Sequence, residues 1–267
     1  MTLARTAALL VLAALVASGC SQAVDTRKKV NLYGDSLGVE AAPFVERALT
    51  KSGKVSFVNR TRSGTAPCDW RKIIAHDVST RPPDAALVET YGNNASTCQT
   101  GVGGKRPVLD SQEYWAMYRK DLERTVNAFP RSTKVILVSA PAASVDMRSG
   151  RSHKKHMLAL MRSIARIRPN VTSVDAGGRL ERPLGHFARV IPCIANGPCP
   201  NHPTRGKAVV RAKDGLHFCP VIVWAKVNLL EHCPVVAYGA WRFGIVAAVM
   251  AARAVGTTAY PPPLVKH

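Results

Sequence analysis

Two short segments near opposite ends of the sequence carry side chains that together could perform acyl transfer. Residues 34–37 (GDSL) place Ser36 directly after a short β-prone run, and residues 214–217 (DGLH) place His217 three positions after Asp214. A serine hydroxyl is a weak nucleophile until a base accepts its proton, and imidazole, which titrates near neutrality, is the expected base. A carboxylate is then needed to hold the imidazole in one tautomer and to stabilise its charged form. The segments therefore predict Ser36 as nucleophile, His217 as general base and Asp214 as the acid that orients it.

Two further segments could stabilise the negative charge that such a reaction creates. Residues 92–94 (GNN) follow a predicted strand, and the side-chain amide of Asn94 could donate a hydrogen bond to an oxyanion. One such donor is typically worth about 10²–10³ in rate. Gly64, within the segment 62–65 (RSGT), would let a backbone N–H face the same point. Each segment taken alone could equally be a loop glycine or an Asx turn.

Apolar, β-branched runs alternate with helical patterns around these four segments. Strands are predicted at residues 30–33, 55–58, 85–88, 134–139 and 171–174, and helices at residues 40–50, 70–78, 111–129, 153–167 and 235–255. Strands separated by helices of this length predict βαβ crossovers, and so an α/β fold with a parallel sheet and helices on both faces. Ligands of such sheets bind beyond the carboxyl ends of the strands, which is where the four segments fall.

The last predicted helix is apolar enough to raise the question of a membrane span. Arg242 and Arg253 interrupt it, and the uninterrupted apolar stretch is too short to cross a bilayer. A helix packed against the sheet is the better interpretation.

In their order and placement the four segments closely resemble the SGNH (GDSL) hydrolase family. That family is defined by a serine, a glycine, an asparagine and a histidine, which fall here on Ser36, Gly64, Asn94 and His217, with Asp214 as the orienting acid. The resemblance implies a three-layer, flavodoxin-like sheet, and an oxyanion held by the N–H groups of the serine and glycine and by the asparagine amide. It also implies esterase activity on small-acyl or lipid esters, including O-acetyl groups on glycans.

The resemblance runs over nearly all of the chain after its first 29 residues, with two departures. Ala95 stands where the asparagine block of the family usually continues with aspartate, and a cysteine-bounded insertion follows the histidine block. Both departures would change the walls of the pocket without removing a catalytic group.

The first twenty residues predict export. Arg5 precedes a short run of small and aliphatic residues, which is too short for a stable bilayer span and is typical of a signal peptide. The run ends at Cys20 in a pattern that resembles the lipobox of bacterial lipoproteins, so Cys20 is the predicted site of lipidation, although cleavage after Ala23 remains open. The predicted organisation is a leader at 1–20, a linker at 21–28, a hydrolase domain at 29–258 and a tail at 259–267. Residues 177–213, rich in proline, glycine and arginine, form a predicted loop or lid within that domain.

Six cysteines remain once Cys20 is acylated or removed, an even number that fits three disulfides in an oxidising compartment. Fifteen pairings are possible, and the local choice is Cys68–Cys98, Cys193–Cys199 and Cys219–Cys233. Buried free thiols are the alternative. The first bridge would join the two oxyanion loops and restrict their motion before substrate binds.

A zinc cluster is the alternative to the second disulfide. His186, Cys193, Cys199 and His202 lie close in sequence, but structural zinc sites usually have two to four residues between their cysteines. The disulfide is favoured in an exported protein, and no metal or cofactor is predicted.

The sequence is strongly basic, with 37 Lys and Arg residues and a formal net charge of +20. The leader, and the lack of zinc-finger, RNP or helix-turn-helix patterns, argue against nucleic acid. Anionic lipid headgroups or acidic wall polymers are more plausible neighbours of an exported basic protein, unless the charge is simply spread over the surface. The sequence therefore predicts an esterase of the cell envelope, lipid-anchored or secreted and monomeric, that acts on glycan or lipid esters. The alternatives are an O-acyltransferase with the same residues and a non-catalytic protein that binds the envelope.

Overall fold

A computed structural model describes residues 25–94, 96–100, 104–144, 149–194, 199, 206–218 and 237–263. Three features named from the sequence lie outside these residues. They are the predicted leader with Cys20, the predicted pair Cys219–Cys233, and His202 of the alternative zinc cluster. Within them, no helix is long and apolar enough to span a membrane.

A five-stranded parallel sheet forms the centre of the fold. Its strands are β1 (Lys28–Tyr33), β2 (Val55–Asn59), β3 (Ala85–Thr90), β4 (Lys134–Ser139) and β5 (Val171–Val174). Their spatial order is β2-β1-β3-β4-β5, and every neighbouring pair is parallel. The predicted α/β architecture and all five predicted strands are confirmed.

Helices cover both faces of the sheet. They are α1 (Ser36–Thr50), α2 (Arg71–Thr80), α3 (Gln112–Asn127), α4 (Ser149–Arg166) and α5 (Tyr238–Ala254). The helices α1 and α5 bury their apolar side chains against one face of the strands, while α2, α3 and α4 pack on the other face. Because successive strand residues point to opposite faces, the strands supply both cores, and three layers result.

The first helix begins earlier than its apolar pattern predicted. The pattern gave residues 40–50, whereas α1 begins at Ser36 because the side chain of Asp35 caps it by accepting a hydrogen bond from Leu37 N. The helix α4 likewise begins at Ser149 instead of residue 153. Start positions differ because capping residues, and not the apolar stripe, decide where a helix begins. Ser111 does cap α3 as predicted, by accepting a hydrogen bond from Tyr114 N.

The region 177–213 contains more regular structure than a loop. Its described residues include a small antiparallel hairpin of β6 (Val190–Pro192) and β7 (Lys207–Val209). Two short 3₁₀ turns precede the hairpin. Strands of three residues are too short to show an alternating pattern, so the sequence did not reveal them. Ile191 and Ala208 of the hairpin are buried in the same core as α1 and α5.

The described part of the predicted tail is attached to the domain. Tyr260 N donates a hydrogen bond to Ala48 O, and the indole N–H of Trp241 donates to Pro262 O. The helix α5 packs against α1 and the sheet, as expected for a core helix.

Candidate active site

The nucleophile candidate lies at the carboxyl end of a central strand. β1 ends at Tyr33, and Ser36 is the first residue of α1, so the serine occupies a tight turn between a strand and a helix. Its side chain is largely buried, with 8% of the residue surface exposed. The N-terminus of α1 points toward this turn, and the partial positive charge there favours negative charge developing near the serine.

Ser36, His217 and Asp214 form a continuous chain of hydrogen bonds. His217 Nε2 lies 2.9 Å from Ser36 Oγ, and His217 Nδ1 lies 2.6 Å from Asp214 Oδ2. When Nδ1–H donates to the carboxylate, Nε2 is left to accept the serine proton. The structure thus brings together the three side chains that the sequence predicted as nucleophile, base and orienting acid.

Asp214 is held in its charged form by its own loop. Its Oδ1 accepts hydrogen bonds from Leu216 N at 2.9 Å and His217 N at 3.0 Å. Burial by itself would raise the pKa of Asp214, but these bonds and the one from the His217 ring outweigh burial and lower the pKa to about 2. The carboxylate is therefore ionised whenever the neighbouring imidazole could act as a base.

Asp214 and His217 lie in a loop of residues 212–218, the base loop, whose backbone is held by hydrogen bonds. Gly215 O accepts a hydrogen bond from Ser144 N at 2.9 Å, and Ala212 N donates to His217 O at 2.9 Å. Phe218 N donates to the buried carboxylate of Glu40, one helical turn after the nucleophile. These contacts connect the base loop to the loop after β4 and to α1.

The predicted glycine donor lies in a loop that is hydrogen-bonded to residues 34–36, the nucleophile turn. Gly64 has φ +74°, a conformation that favours glycine, and there is open space where a Cβ would stand. Arg62 N donates to Gly34 O at 2.9 Å, and the Thr65 hydroxyl contacts the same carbonyl oxygen at 3.2 Å. The loop that carries Gly64 is thereby fixed beside residues 34–36.

The loop of residues 91–94, the asparagine loop, is hydrogen-bonded to the same turn through Asp35. Tyr91 N and Asn93 Nδ2 donate to Asp35 Oδ2 at 2.8 and 3.2 Å, and Asn93 also donates to Thr65 O. Asn94, the predicted oxyanion donor, is half-buried and makes no hydrogen bond within the part of the chain that the structure describes.

Two buried carboxylates close to Ser36 had no role assigned to them from the sequence. Asp35 joins the turn at residue 36 to the asparagine loop, and Glu89 Oε2 accepts a hydrogen bond from Asp35 N at 3.1 Å. Burial, together with the nearby charge of Asp35, holds the pKa of Glu89 well above its ordinary range. The sequence held one signal for the buried role of Glu89. It is an acidic residue inside the apolar run 85–90, where side chains point into the protein.

Two of the three predicted disulfides lie among the described residues, and both are present. Cys68–Cys98 joins the start of the segment before α2 to the segment after Asn94. Cys193–Cys199 lies beside the hairpin, so these two cysteines of the rejected zinc cluster are bonded to each other.

Comparison with known proteins agrees with this architecture. A profile of the family described as "Protein of unknown function (DUF459)" matches residues 29–221. The chain belongs to the DUF459 family. Characterised protein sequences include no match to the chain. Its fold is that of the SGNH (GDSL) hydrolases, as the resemblance of the four segments implied.

Several solved structures are similar to the DUF459 chain. The catalytic domain of peptidoglycan O-acetyltransferase A from Streptococcus pneumoniae is 14% identical, with 89% of this chain and 99% of that one covered and a TM-score of 0.50. The enzyme LAE5, an alpha/beta hydrolase from the metagenome of Lake Arreo, is 17% identical over 83% and 94% of the two chains, with a TM-score of 0.50. A lipase/acylhydrolase from Enterococcus faecalis is 21% identical over 60% and 86%, with a TM-score of 0.43.

Proposed function

We propose that this protein is a serine esterase that hydrolyses carboxylic esters through an acyl group carried on Ser36. The observation that carries the proposal is the hydrogen-bonded chain from Ser36 Oγ through His217 to the ionised Asp214. A serine in contact with an imidazole, which is itself oriented by a carboxylate, is the arrangement that nucleophilic catalysis at an ester requires.

The proposed acylation step begins with these three side chains. His217 Nε2 accepts the hydroxyl proton as Ser36 Oγ bonds to the ester carbonyl carbon, and the carbonyl oxygen becomes an oxyanion. The N–H groups of Ser36 and Gly64 and the amide of Asn94 donate to that oxyanion. The tetrahedral intermediate then breaks the bond to the alcohol oxygen, which leaves with the proton from His217.

Deacylation uses the same groups with water as the nucleophile. His217 accepts a proton from water as the water oxygen bonds to the acyl carbon, and a second oxyanion forms at the same donors. Collapse releases the carboxylic acid, and the proton returns from His217 to Ser36 Oγ. No cofactor is needed at any step.

Esters of the cell envelope are the proposed substrates, namely O-acyl groups on glycans or lipid esters. Two disulfides favour an oxidising compartment, and the net charge of +20 favours a location beside anionic lipids or acidic wall polymers. We include export, with a lipid anchor at Cys20, in the proposal. The enzyme acts as a monomer in this proposal.

Transfer of the acyl group to a second alcohol is the competing function. The likeness in fold to the catalytic domain of a peptidoglycan O-acetyltransferase favours it specifically, because one chain nearly covers the other. Both functions share acylation of Ser36 and differ only in the acceptor. Incubation with a labelled acetyl donor and a glycan acceptor separates them: acetylated glycan indicates transfer, and free acetate alone indicates hydrolysis.

The decisive test compares hydrolysis of p-nitrophenyl acetate by the wild type and by Ser36→Ala. We expect kcat/KM to fall by about 10⁴-fold or more, since a nucleophile cannot be replaced by the remaining groups. Ser79→Ala, which removes an exposed hydroxyl from α2, is the matched control and should keep the wild-type rate. Equal rates for wild type and Ser36→Ala would refute enzymatic function at this site and leave a binding role.

A further inference from the structure

A second histidine–aspartate pair lies behind the asparagine loop, outside the chain of three catalytic candidates. His153, on α4, is only 2% exposed. Its Nδ1 lies 2.6 Å from Asp110 Oδ1, and its Nε2 lies 2.8 Å from the carbonyl oxygen of Tyr91. The mechanism above makes no use of this pair.

The two contacts fix where the protons of this pair lie. A backbone carbonyl can only accept, so Nε2 carries a hydrogen and donates it to Tyr91 O. Nδ1 faces a carboxylate, and their contact requires one further proton between His153 and Asp110, because otherwise two lone pairs would oppose each other. The pair is therefore a proton-sharing unit whose other end holds the backbone of the asparagine loop.

That loop is held at successive backbone groups. The Tyr91 carbonyl accepts from His153, and the Gly92 carbonyl accepts from the hydroxyl of Tyr114 at 2.6 Å. The Tyr91 N–H points the opposite way, to Asp35 beside the nucleophile. The peptide groups on either side of Tyr91 are thus tied to the nucleophile turn at one end and to His153 at the other.

Close packing restricts the conformation of this loop. Gly92 has φ +114°, and a Cβ there would overlap His153 Nε2 and the Tyr114 hydroxyl. The Tyr91 ring stacks on the His153 ring with centroids 5.1 Å apart, and Trp115 contacts the histidine ring at the same distance. A rotation of His153 would therefore displace the residues that lead directly into Asn94.

Asp110 itself is held in an unusual backbone conformation. Its φ is +64°, one of two such values among the non-glycine residues that the structure describes. Such a conformation is unfavourable for a residue with a side chain and persists where the surroundings impose it. Aspartate and asparagine tolerate it better than other side chains do, so the position can be tested with an amide.

We propose that His153 is a positioning residue: with the proton it shares with Asp110, it orients the loop from residue 91 to Asn94 so that the Asn94 amide meets the oxyanion. The proposal rests on the proposed function, since it assigns His153 a role in the same reaction. His153 touches no reacting atom and acts through Asn94 alone.

The test measures kcat and KM for p-nitrophenyl acetate in a set of variants. His153→Phe keeps an aromatic ring and removes both hydrogen bonds, and we expect kcat to fall about 10- to 100-fold with KM unchanged. The double variant His153→Phe/Asn94→Ala should be no slower than Asn94→Ala alone, because both changes remove the same donor. A residue that only supports the fold would not produce this non-additivity.

Asp110 supplies a second route that does not depend on how His153→Phe folds. Asp110→Asn can donate its amide hydrogen to the unprotonated Nδ1 of a neutral imidazole, while Nε2–H still donates to Tyr91 O. We expect it to stay within about threefold of the wild-type kcat, whereas Asp110→Ala should fall as His153→Phe does. His156→Gln, one turn further along α4, exposed and in contact with Trp115, is the matched control.

The outcomes distinguish failure of the role of His153 from failure of the proposed function. An active wild type and an inactive Ser36→Ala, combined with full activity in Asp110→Ala or full additivity with Asn94→Ala, would overturn the role of His153 alone. Equal rates for wild type and Ser36→Ala would overturn the proposed function, and the role of His153 with it.

Discussion

Ser36 and His217 meet across the candidate site, but the segments that carry them are held by different contacts. The nucleophile wall, residues 34–36 with the loop 91–94, extends from the ends of β1 and β3 and converges on the buried carboxylate of Asp35. The base wall, residues 212–218, belongs to no strand of the large sheet. It is attached by a backbone hydrogen bond to the loop after β4 and by a hydrogen bond to the carboxylate of Glu40 in α1.

The difference shows two ways of fixing a candidate catalytic group. On the nucleophile wall, residues far apart in the chain share one buried acceptor, so the position of each depends on the others. On the base wall, the essential contact between Asp214 and His217 spans only three residues, and the loop itself provides the donors that keep the acid ionised. Damage should therefore spread on the first wall and stay local on the second.

Removing the base should give the largest effect after loss of the nucleophile itself. His217→Gln cannot accept and return the serine proton, and we expect kcat to fall by about 10⁴-fold with p-nitrophenyl acetate. The thermal unfolding temperature should change little, because damage on the base wall stays local. His186→Gln is the control for loss of an imidazole elsewhere, and wild-type kcat in His217→Gln would exclude this base.

The oxyanion donor on the opposite wall should matter less than the base. Asn94→Ala removes one hydrogen bond that forms fully only in the transition state, so kcat should fall by about 10²–10³ with KM unchanged. Asn127→Ala, an exposed asparagine at the end of α3, should behave as wild type. A rise in KM with constant kcat would assign Asn94 to substrate binding instead.

The disulfide Cys68–Cys98 tests whether the nucleophile wall needs its long-range ties. The double variant Cys68→Ala/Cys98→Ala should lower the free energy of unfolding by about 2–4 kcal/mol. It should also lower kcat by about threefold to tenfold, because the two oxyanion loops gain freedom. The corresponding pair Cys193→Ala/Cys199→Ala is the control and should leave kcat unchanged. An unchanged turnover number in the first variant would refute the rigidity argument.

The smallest effects should appear in the free energy of unfolding. The contributions of Glu89 on the nucleophile wall and Asp214 on the base wall should change in opposite directions with pH. Glu89 has a raised pKa, so the folded chain keeps a proton that the unfolded chain releases, and wild-type stability falls relative to Glu89→Gln as pH rises above the ordinary glutamate range. Asp214 has a lowered pKa, so its contribution of at most about 2 kcal/mol is present above its ordinary pKa and is lost as pH falls through about 2.

Thermal unfolding across pH measures both contributions. The unfolding temperature of the wild type should fall further below that of Glu89→Gln from about pH 4 to about pH 8. The unfolding temperature of the wild type should approach that of Asp214→Asn as pH falls below the ordinary aspartate range. A pH-independent difference for Glu89→Gln would contradict the raised pKa.

The sequence predicted the parts of this molecule that depend on local pattern. The five strands follow from short apolar runs, and the DGLH segment placed acid and base within one turn. The sequence missed groups whose role comes from long-range contact: Asp35 caps α1 and joins two loops, and His153 holds a carbonyl 62 positions away in the chain. Such roles depend on which loops meet at the sheet edge, and no spacing along the chain encodes that.

One consequence follows from the hydrogen bond between Ser36 and His217, which joins positions 181 apart in the chain. A chain is made from its N-terminus, and every strand of the parallel sheet precedes residue 175. A nascent or truncated chain could therefore complete the sheet and present the serine without any means of activating it. In the proposed mechanism, hydrolysis becomes possible only once residues 214–217 have been made, so a molecule that lacks them cannot trap acyl groups on its serine.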